Sequence, residues 1–489
     1  MGIIRKQTII GSIFSYSGAL LGLVNIAILY PRILSTDQVG ILTWLIATTM
    51  LAAQFSGLGF GAVTSRLFPY FRNEENQHNG FMFILFCVGM LGFALSLVAF
   101  FALQPFAANY FGNESSLYLN YLIYLIPLVF FSLFFNLFDG YNRVLYDAVS
   151  GTFFRDIVFR LLVLGCLILF WKELINFREL IFLYVTAYCL PAVLLFGLLI
   201  IRKQVSFKPN LKFIKPDLKK IMINTSLYGI LTNFGDKIAS QIDKLMIVGM
   251  ISLGANGIFS IMSYFGVLVS MPARSLNKIS STIIAEAWKK KDMETISKTY
   301  AQSGLHQFMV ACLLFVGLWV NIDNVLEIVT EQYSEGKYVL FFVGLSNVVL
   351  MLSGISGVII QNSPSYRKQS LFLILYAGII VISNAIMIPL WGIVGAAIAS
   401  FTASICFNLM KYLFLLRRYN FQPFNYRYLL VILSALISYF IAYQVPKLEG
   451  FIWDIILRSA MVGMIYIALS ITFHISKDLN AFARKLIKR

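Results

Sequence analysis

Apolar runs of 18 or more residues recur from one end of this 489-residue chain to the other. A run of that length crosses the hydrocarbon core of a bilayer as a helix. Only 12% of the residues are charged and 59% are hydrophobic, whereas a soluble domain carries about 25% charged residues. The chain therefore has too little polar surface to cover itself in water. No hydrophilic stretch is long enough to hold a large soluble domain. The fold class is an all-α polytopic membrane protein.

About fourteen spans are expected. Six lie near 8–30, 39–61, 81–103, 117–138, 153–171 and 180–201. Six more lie near 223–249, 256–280, 304–322, 338–361, 371–390 and 392–416, with a last pair near 428–445 and 452–474. Alternate loops carry 26 of the 39 basic residues, and the opposite loops carry five: Arg32, Lys172, Arg178, Lys337 and Lys447. The positive-inside rule then places both termini in the cytoplasm, as an even number of spans requires. The same asymmetry explains the net charge of +17 by a membrane surface, with no nucleic-acid partner. The acidic segment 323–335 falls outside, and its charges recur at the spacing of a solvated helical turn or two.

Residues 1–201 and 223–418 read as two six-helix bundles in parallel repeat, joined by a basic linker over 202–222. Two further helices and a basic tail follow over 419–489. Gly257-Ile258 stands 217 residues after Gly40-Ile41, and the same offset carries Gly18 to Gly235 and Gly140 to Gly357. Parallel repeats with a site at their interface are a transporter architecture.

Charge inside the hydrocarbon points to function. Span seven carries the densest set. At 100° per residue Asn233, Asp236, Lys237, Ser240, Asp243 and Lys244 share one face, and Leu227, Leu231, Ile238, Ile242 and Leu245 cover the other. Such a stripe must face protein or a water-filled cavity. It either lines a cavity or neutralises itself by pairing, and the two roles are compatible. Span one, its repeat partner, offers a stripe of small and polar residues, Gly11, Ser12, Ser15, Gly18, Gly22 and Asn25. That stripe serves close helix packing or cavity lining. In span eight Arg274 follows Pro272 and presents a planar fork suited to phosphate, with snorkelling as the competing role, above all for Lys278. Asp156 and Arg160 are spaced as a helix ion pair. Lys411 and Arg458 lie near span ends and are expected to snorkel. Asp139 and Arg143 stand at a loop edge.

Other chemistry finds no support. The phosphate-loop pattern and HExxH are missing. The five cysteines, Cys87, Cys166, Cys189, Cys312 and Cys406, all fall in apolar segments and suggest neither disulfides nor a metal site. Three scattered histidines carry no assigned role. Arg5 and Lys6 precede a long apolar run with no cleavage site, which reads as a retained first helix. The expectation is a protein that is not an enzyme and holds no cofactor or metal.

Four segments carry a family resemblance. "LGANGIFSIMSYFGVLVSMPARSLNKISSTIIAEAWKKKDMETI" (253–296) looks like the middle signature of polysaccharide export proteins. "ILYPRILSTDQVGIL" (28–42) resembles the end of their first helix, and "GLGFGAVTSRLFPYF" (57–71) their second-helix exit. "PLWGIVGAAIAS" (389–400) is similar to their run entering helix twelve, and is the most specific. The chain thus resembles the oligosaccharide (O-antigen type) flippases of the multidrug/oligosaccharidyl-lipid/polysaccharide superfamily.

The resemblance implies two six-helix bundles around a central cavity. It implies a flippase in the bacterial inner membrane that moves undecaprenyl-pyrophosphate-linked oligosaccharide to the periplasmic leaflet for surface polysaccharide such as the O-antigen of lipopolysaccharide. The implied mechanism is alternating access coupled to H+ or Na+. The expected partners are that substrate, membrane lipids and glycan-assembly enzymes. On this reading Lys237, Lys244 and Arg274 attract the diphosphate, Asp236 or Asp243 binds the coupling ion, and Asn25, Asn233 and Ser240 line the cavity. The alternatives are a cation-coupled exporter of drugs or metabolites, a flippase for the peptidoglycan precursor, and a glycan polymerase or ligase. The last needs a large outer catalytic loop, which the sequence lacks.

Overall fold

Helices make up every long element of the computed structural model, which describes residues 2–110, 121–210, 213–476 and 479–480; no strand occurs among them. Contacts divide the chain into two compact units, Met1–Gly257 and Ile258–Arg489.

In the first unit α1 (Gly2–Gly22) runs on through a π-helical stretch, Leu23–Leu29. α2 (Thr36–Ser56) starts at a capping box in which Ser35 and Gln38 satisfy each other's backbone N–H groups. α3 (Phe60–Phe71), α4 (Phe81–Tyr110) and α5 (Leu125–Val144) follow. A second π-helical stretch, Phe153–Val158, leads into α6 (Phe159–Trp171). α7 (Phe177–Ile201) opens on an Asn176–Glu179 capping box. α8 (Pro216–Met250) places its proline in the first turn, where a missing N–H has no cost. The start of α9 (Leu253–Leu268) closes the unit. This packing division puts α8, expected to open the second repeat, with the first unit; the repeat boundaries themselves stay an expectation.

Lipid is as apolar as leucine, so these helices are held by close packing and buried hydrogen bonds. Phe68 and Phe71 of α3, Phe81 of α4 and Tyr141 of α5 are buried and meet edge-on, with ring centroids 5.1–5.5 Å apart for Phe68–Phe81, Phe68–Tyr141 and Phe71–Phe81. Glycines set the helix crossings. A Cβ on Gly92 would lie 1.7 Å from the Ser56 carbonyl oxygen, so α4 touches α2 backbone to backbone. A Cβ on Gly40 would lie 1.9 Å from Leu253 O, and one on Gly257 2.1 Å from Thr36 O. The two glycines matched by the repeat thus sit at one crossing. Asn256 ties it by donating to Gly40 O at 3.1 Å and to Thr43 Oγ1 at 3.0 Å.

The second unit holds α10 (Met271–Lys290), α11 (Met293–Val320), α12 (Ile322–Val329), α13 (Lys337–Leu352) and α14 (Ser356–Asn362). The single span expected over 256–280 is broken between α9 and α10. Pro272 explains the break, because its ring clashes with the carbonyl of Leu268, where α9 ends. α15 (Arg367–Tyr419) is a 53-residue run with non-helical dihedrals at Trp391 and Gly392 (φ 56°). Its halves fold back on each other: Tyr376 stacks on Phe407 at 4.5 Å, and Tyr376 OH bonds Ser404 Oγ at 3.3 Å. The two spans expected over 371–390 and 392–416 are these halves. α16 (Arg427–Tyr443) and α17 (Phe451–Thr472) complete the unit, and Tyr466 donates to Met309 O of α11 at 2.9 Å.

The acidic segment forms α12 and a 3-10 turn, Glu331–Gly336. Asp323 pairs with Lys337 at 3.3 Å and Glu327 with Lys447 at 2.9 Å, both on the surface. Among the described residues nine helices are long and apolar enough to cross a membrane, α15 counting once, and α9 and α16 are shorter apolar helices. α8 is not among these eleven, because four charges interrupt it between Asp236 and Lys244.

Candidate functional site

The polar stripe of α8 is held on α2 and α3 by a glycine pair. Gly59 has φ 68° and stands where a Cβ would be 2.1 Å from Ser226 O; a Cβ on Gly229 would be 2.6 Å from Gly59 O. The Ser226 hydroxyl donates to Leu58 O across the same contact. Leu227 and Leu231 are exposed on one side of α8, as a lipid-facing surface requires. Asp236 and Ser240 are exposed too, while Lys237, Asp243 and Lys244 are half-buried. Ser240 Oγ donates to Lys237 O at 3.1 Å, and Asp243 lies within electrostatic reach of Lys244. The stripe therefore carries two acids, two ammonium groups and a hydroxyl over about two turns. The side chains of Asn233, Arg274 and Lys278 lie outside the described residues; Arg274 belongs to α10 of the second unit.

Asn25 is 2% exposed and lies in the π-helical stretch of span one. Its Nδ2 donates to Arg160 O at 2.8 Å, and the Arg160 guanidinium donates back to Gly18 O. A Cβ on Gly18 would lie 2.6 Å from Asp156 Cβ. The small-residue stripe thus lets α1 approach the π-helical stretch before α6, while Gly11 faces open space. π-helices are rare and recur at functional sites.

The other intramembrane charges are held in place by neighbours. Arg155 donates to Asn136 Oδ1 at 3.0 Å and lies 4.9 Å from the Phe135 ring centroid. Asp139 pairs with Arg143 at 2.6 Å, and Gly151 packs so tightly on Asp139 Oδ1 that any Cβ would overlap it. Lys411 and Arg458 depart from the snorkelling expected of them, since both are buried. Arg458 Nε donates to Asp454 Oδ2 at 2.8 Å, and one of its Nη atoms to Val445 O at 2.8 Å. The Lys411 ammonium lies 4.2 Å from the centroid of the Phe407 ring, a cation–π contact. For Asp454 and Arg458, spacing i,i+4 with the acid first was a readable signal; for Lys411 there was none.

At the face of the first unit that carries its basic loops, the α5–α6 connection is tied down from three sides. Gln7 donates to Tyr146 O, Arg72 donates to Tyr146 OH and to Val144 O, and Arg202 pairs with Asp147. Partial burial by itself pushes the Asp147 carboxyl up. The Ser150 hydroxyl, the Arg202 guanidinium and the backbone N–H groups of Ser150 and Val149 outweigh it and hold the group below its ordinary range. Among the described residues no group of three or more His, Cys, Asp or Glu side chains is placed to hold a metal ion.

A family model described as "Polysaccharide biosynthesis protein" matches residues 4–284, more than half of the chain. The chain belongs to the polysaccharide biosynthesis protein family. Among solved structures it is similar to "Lipid II flippase MurJ, inward closed conformation", with a TM-score of 0.75 at 15% identity, covering 95% of this chain and 99% of that one. It is also similar to an inward-facing multidrug resistance MATE family transporter of the MOP superfamily, with a TM-score of 0.63 at 13% identity, covering 84% and 98%. The MATE multidrug transporter DinF-BH gives a TM-score of 0.58 at 17% identity, covering 86% and 96%. No curated protein matches in sequence. At these identities the likeness is one of fold, and this family member is a multi-pass helical membrane protein with the fold that the flippase and the MATE transporters share. The family and fold expected from the four sequence segments are those found.

Proposed function

We propose that this family member is a flippase that carries an undecaprenyl-pyrophosphate-linked oligosaccharide from the cytoplasmic to the periplasmic leaflet of a bacterial inner membrane, by ion-coupled alternating access. The observation that carries the proposal is the mixed-charge stripe of α8 in a chain of the polysaccharide biosynthesis family. A lipid diphosphate has an anionic head, a hydrated glycan and an apolar tail. Lys237 and Lys244 supply charge-assisted donors for the head in a site of low dielectric. Ser240 and Asn233 hydrate the glycan, while Asn25, expected to line the cavity, is buried and ties span one to the stretch before α6 by donating to Arg160 O. Arg274, in the second unit, is assigned the same headgroup chemistry. Asp236 or Asp243 takes the coupling H+ or Na+, since acids inside a membrane span mark proton and ion pathways. Both termini lie in the cytoplasm on the basic-loop count.

A flippase for the peptidoglycan precursor is the second reading, favoured by the fold likeness to the Lipid II flippase. An exporter of cationic drugs is disfavoured by the two lysines of the stripe.

The deciding experiment deletes the protein and measures lipid-linked glycan and surface polysaccharide. Build-up of undecaprenyl-pyrophosphate-oligosaccharide with loss of surface glycan is expected. Unchanged surface glycan with reduced efflux of small cations would assign the protein to drug export, and lethality with build-up of peptidoglycan precursor would assign it to the second reading.

A further inference from the structure

Between α7 and α8 the chain crosses the basic face of the first unit as a connecting strap. Residues 202–220 hold seven basic residues and one acid, Asp217. Arg202, Lys203, Lys208, Lys215, Lys219 and Lys220 are exposed, and Lys212 lies outside the described residues. Arg202 pairs with Asp147, whereas among the described residues no acid pairs with any of the five exposed lysines.

The positive-inside rule explains such charges as an orientation signal, which asks nothing of the folded backbone. Here the backbone is fixed to the unit at three places. Tyr141 OH donates to Gln204 O at 3.3 Å, and His78 Nε2 bonds Gln204 Oε1 at 2.9 Å. A Cβ on Gly80, whose φ is 75°, would lie 2.9 Å from Lys208 O and 3.0 Å from Asn210 N, so the strap passes there backbone on backbone. Phe213 meets Phe71 with ring centroids 5.2 Å apart, and Val205, Ile214 and Leu218 pack with it on the core around Phe68, Phe81 and Tyr141. These apolar side chains turn inward, and the lysines are left outward.

Phe207 sets the height of the strap. Its ring is 46% exposed and meets Phe86 at 5.3 Å, and Phe86 lies inside the apolar stretch Gln77–Pro105 that is long enough to span. In the first turns of α8, half-exposed Ile221 and Ile223 follow Lys219 and Lys220. Exposed apolar side chains among lysines suit the boundary between headgroups and hydrocarbon, from which the ammonium groups can reach the phosphates.

We infer that this strap is a docking surface for the anionic phospholipid headgroups of the leaflet it faces. Its cations follow one another along the segment, so they match a layer of headgroups, whereas a single diphosphate engages only a few of them. A lysine close to an anionic leaflet is favoured about fivefold. The inference needs a membrane protein and does not rest on what that protein carries.

The test uses the full chain in nanodiscs, with Phe207→Trp as a reporter that keeps an aromatic ring on Phe86. Phosphatidylcholine discs receive an equal, minor share of phosphatidylglycerol or of phosphatidylcholine, brominated near the head end of the acyl chains. The natural protein, with its six tryptophans, gives the background. Brominated phosphatidylglycerol should quench the added tryptophan about fivefold more. Lys203→Gln, Lys208→Gln, Lys215→Gln and Lys219→Gln together should remove most of that difference, as should about 1 M salt, where charges are screened within about 3 Å. Native mass spectrometry of the natural protein, which needs no reporter, should show phosphatidylglycerol retained over phosphatidylcholine. Equal quenching by the two lipids, or a preference unchanged in the fourfold variant, overturns the inference. Emission recovered by a trace of polyprenyl pyrophosphate overturns it too, because the strap is then a substrate contact. Surface glycan after deletion tests the proposed function alone and leaves this result untouched.

Discussion

Asp454 Oδ2 accepts from both Asn324 Nδ2, at 2.6 Å, and Arg458 Nε, at 2.8 Å, while Asp454 Oδ1 accepts from the Leu448 N–H at 3.0 Å. One buried carboxylate therefore joins α12, α17 and the connection that leads into α17. Asp454→Asn strands the Arg458 charge, and removing one partner of such a pair costs about 3–5 kcal/mol. The double variant Asp454→Leu/Arg458→Met should recover most of that loss. Thermal unfolding in detergent reads both, and a single variant no worse than the double would show that the pair does not hold these helices.

Gly40 and Gly257 face backbone carbonyls that cannot swing aside as a side chain would. Gly40→Ala and Gly257→Ala should each destabilise the protein by about 1–3 kcal/mol, the usual cost of overpacking. Gly61→Ala, where a Cβ meets nothing within 4 Å, is the matched control and should be near neutral. Folded yield after membrane extraction separates the two outcomes.

On α8, Lys237→Ala and Lys244→Ala should lower flipping of lipid-linked oligosaccharide in proteoliposomes at least tenfold while folded yield is kept. One charge-assisted hydrogen bond to the headgroup, about 1.5–3 kcal/mol, is enough for that. Asp236→Asn or Asp243→Asn, whichever carries the coupling ion, should leave flipping insensitive to an imposed ion gradient. Full gradient dependence in both variants would exclude this pair of acids from coupling.

Asp147 offers a pH signature. Its folded carboxyl titrates below the ordinary value, so its stabilisation is complete above about pH 4, where the unfolded group is also ionised. It is lost as pH falls through the depressed folded value. Asp147→Asn should be about 1 kcal/mol less stable than the natural protein near neutrality, and the two should converge in acid. A gap that stays constant down to about pH 2 would show that the carboxylate charge is not what ties Arg202.

The helices were legible because apolar runs of bilayer length leave the backbone few other ways to pair its polar groups. The α15 turn was legible in part: the span limits at 390 and 392 bracket Trp391, where the dihedrals leave the helical region. The break after Leu268 was missed although Pro272 announced it, since apolar content continues through it. The misreading of Lys411 and Arg458 has a different origin. Distance from a span end tells how far a side chain must reach for water, but not whether another helix stands in the way.

A straight helix of the 53 residues of α15 would reach about 80 Å, well over twice the hydrocarbon thickness. The reversal at Trp391-Gly392 brings it within one bilayer with two residues and no hydrophilic connector. A translocation channel handling this chain meets no polar pause between the two strokes of the hairpin. The halves therefore enter the membrane as one hairpin, which brings Tyr376 onto Phe407 without a polar connector crossing the bilayer.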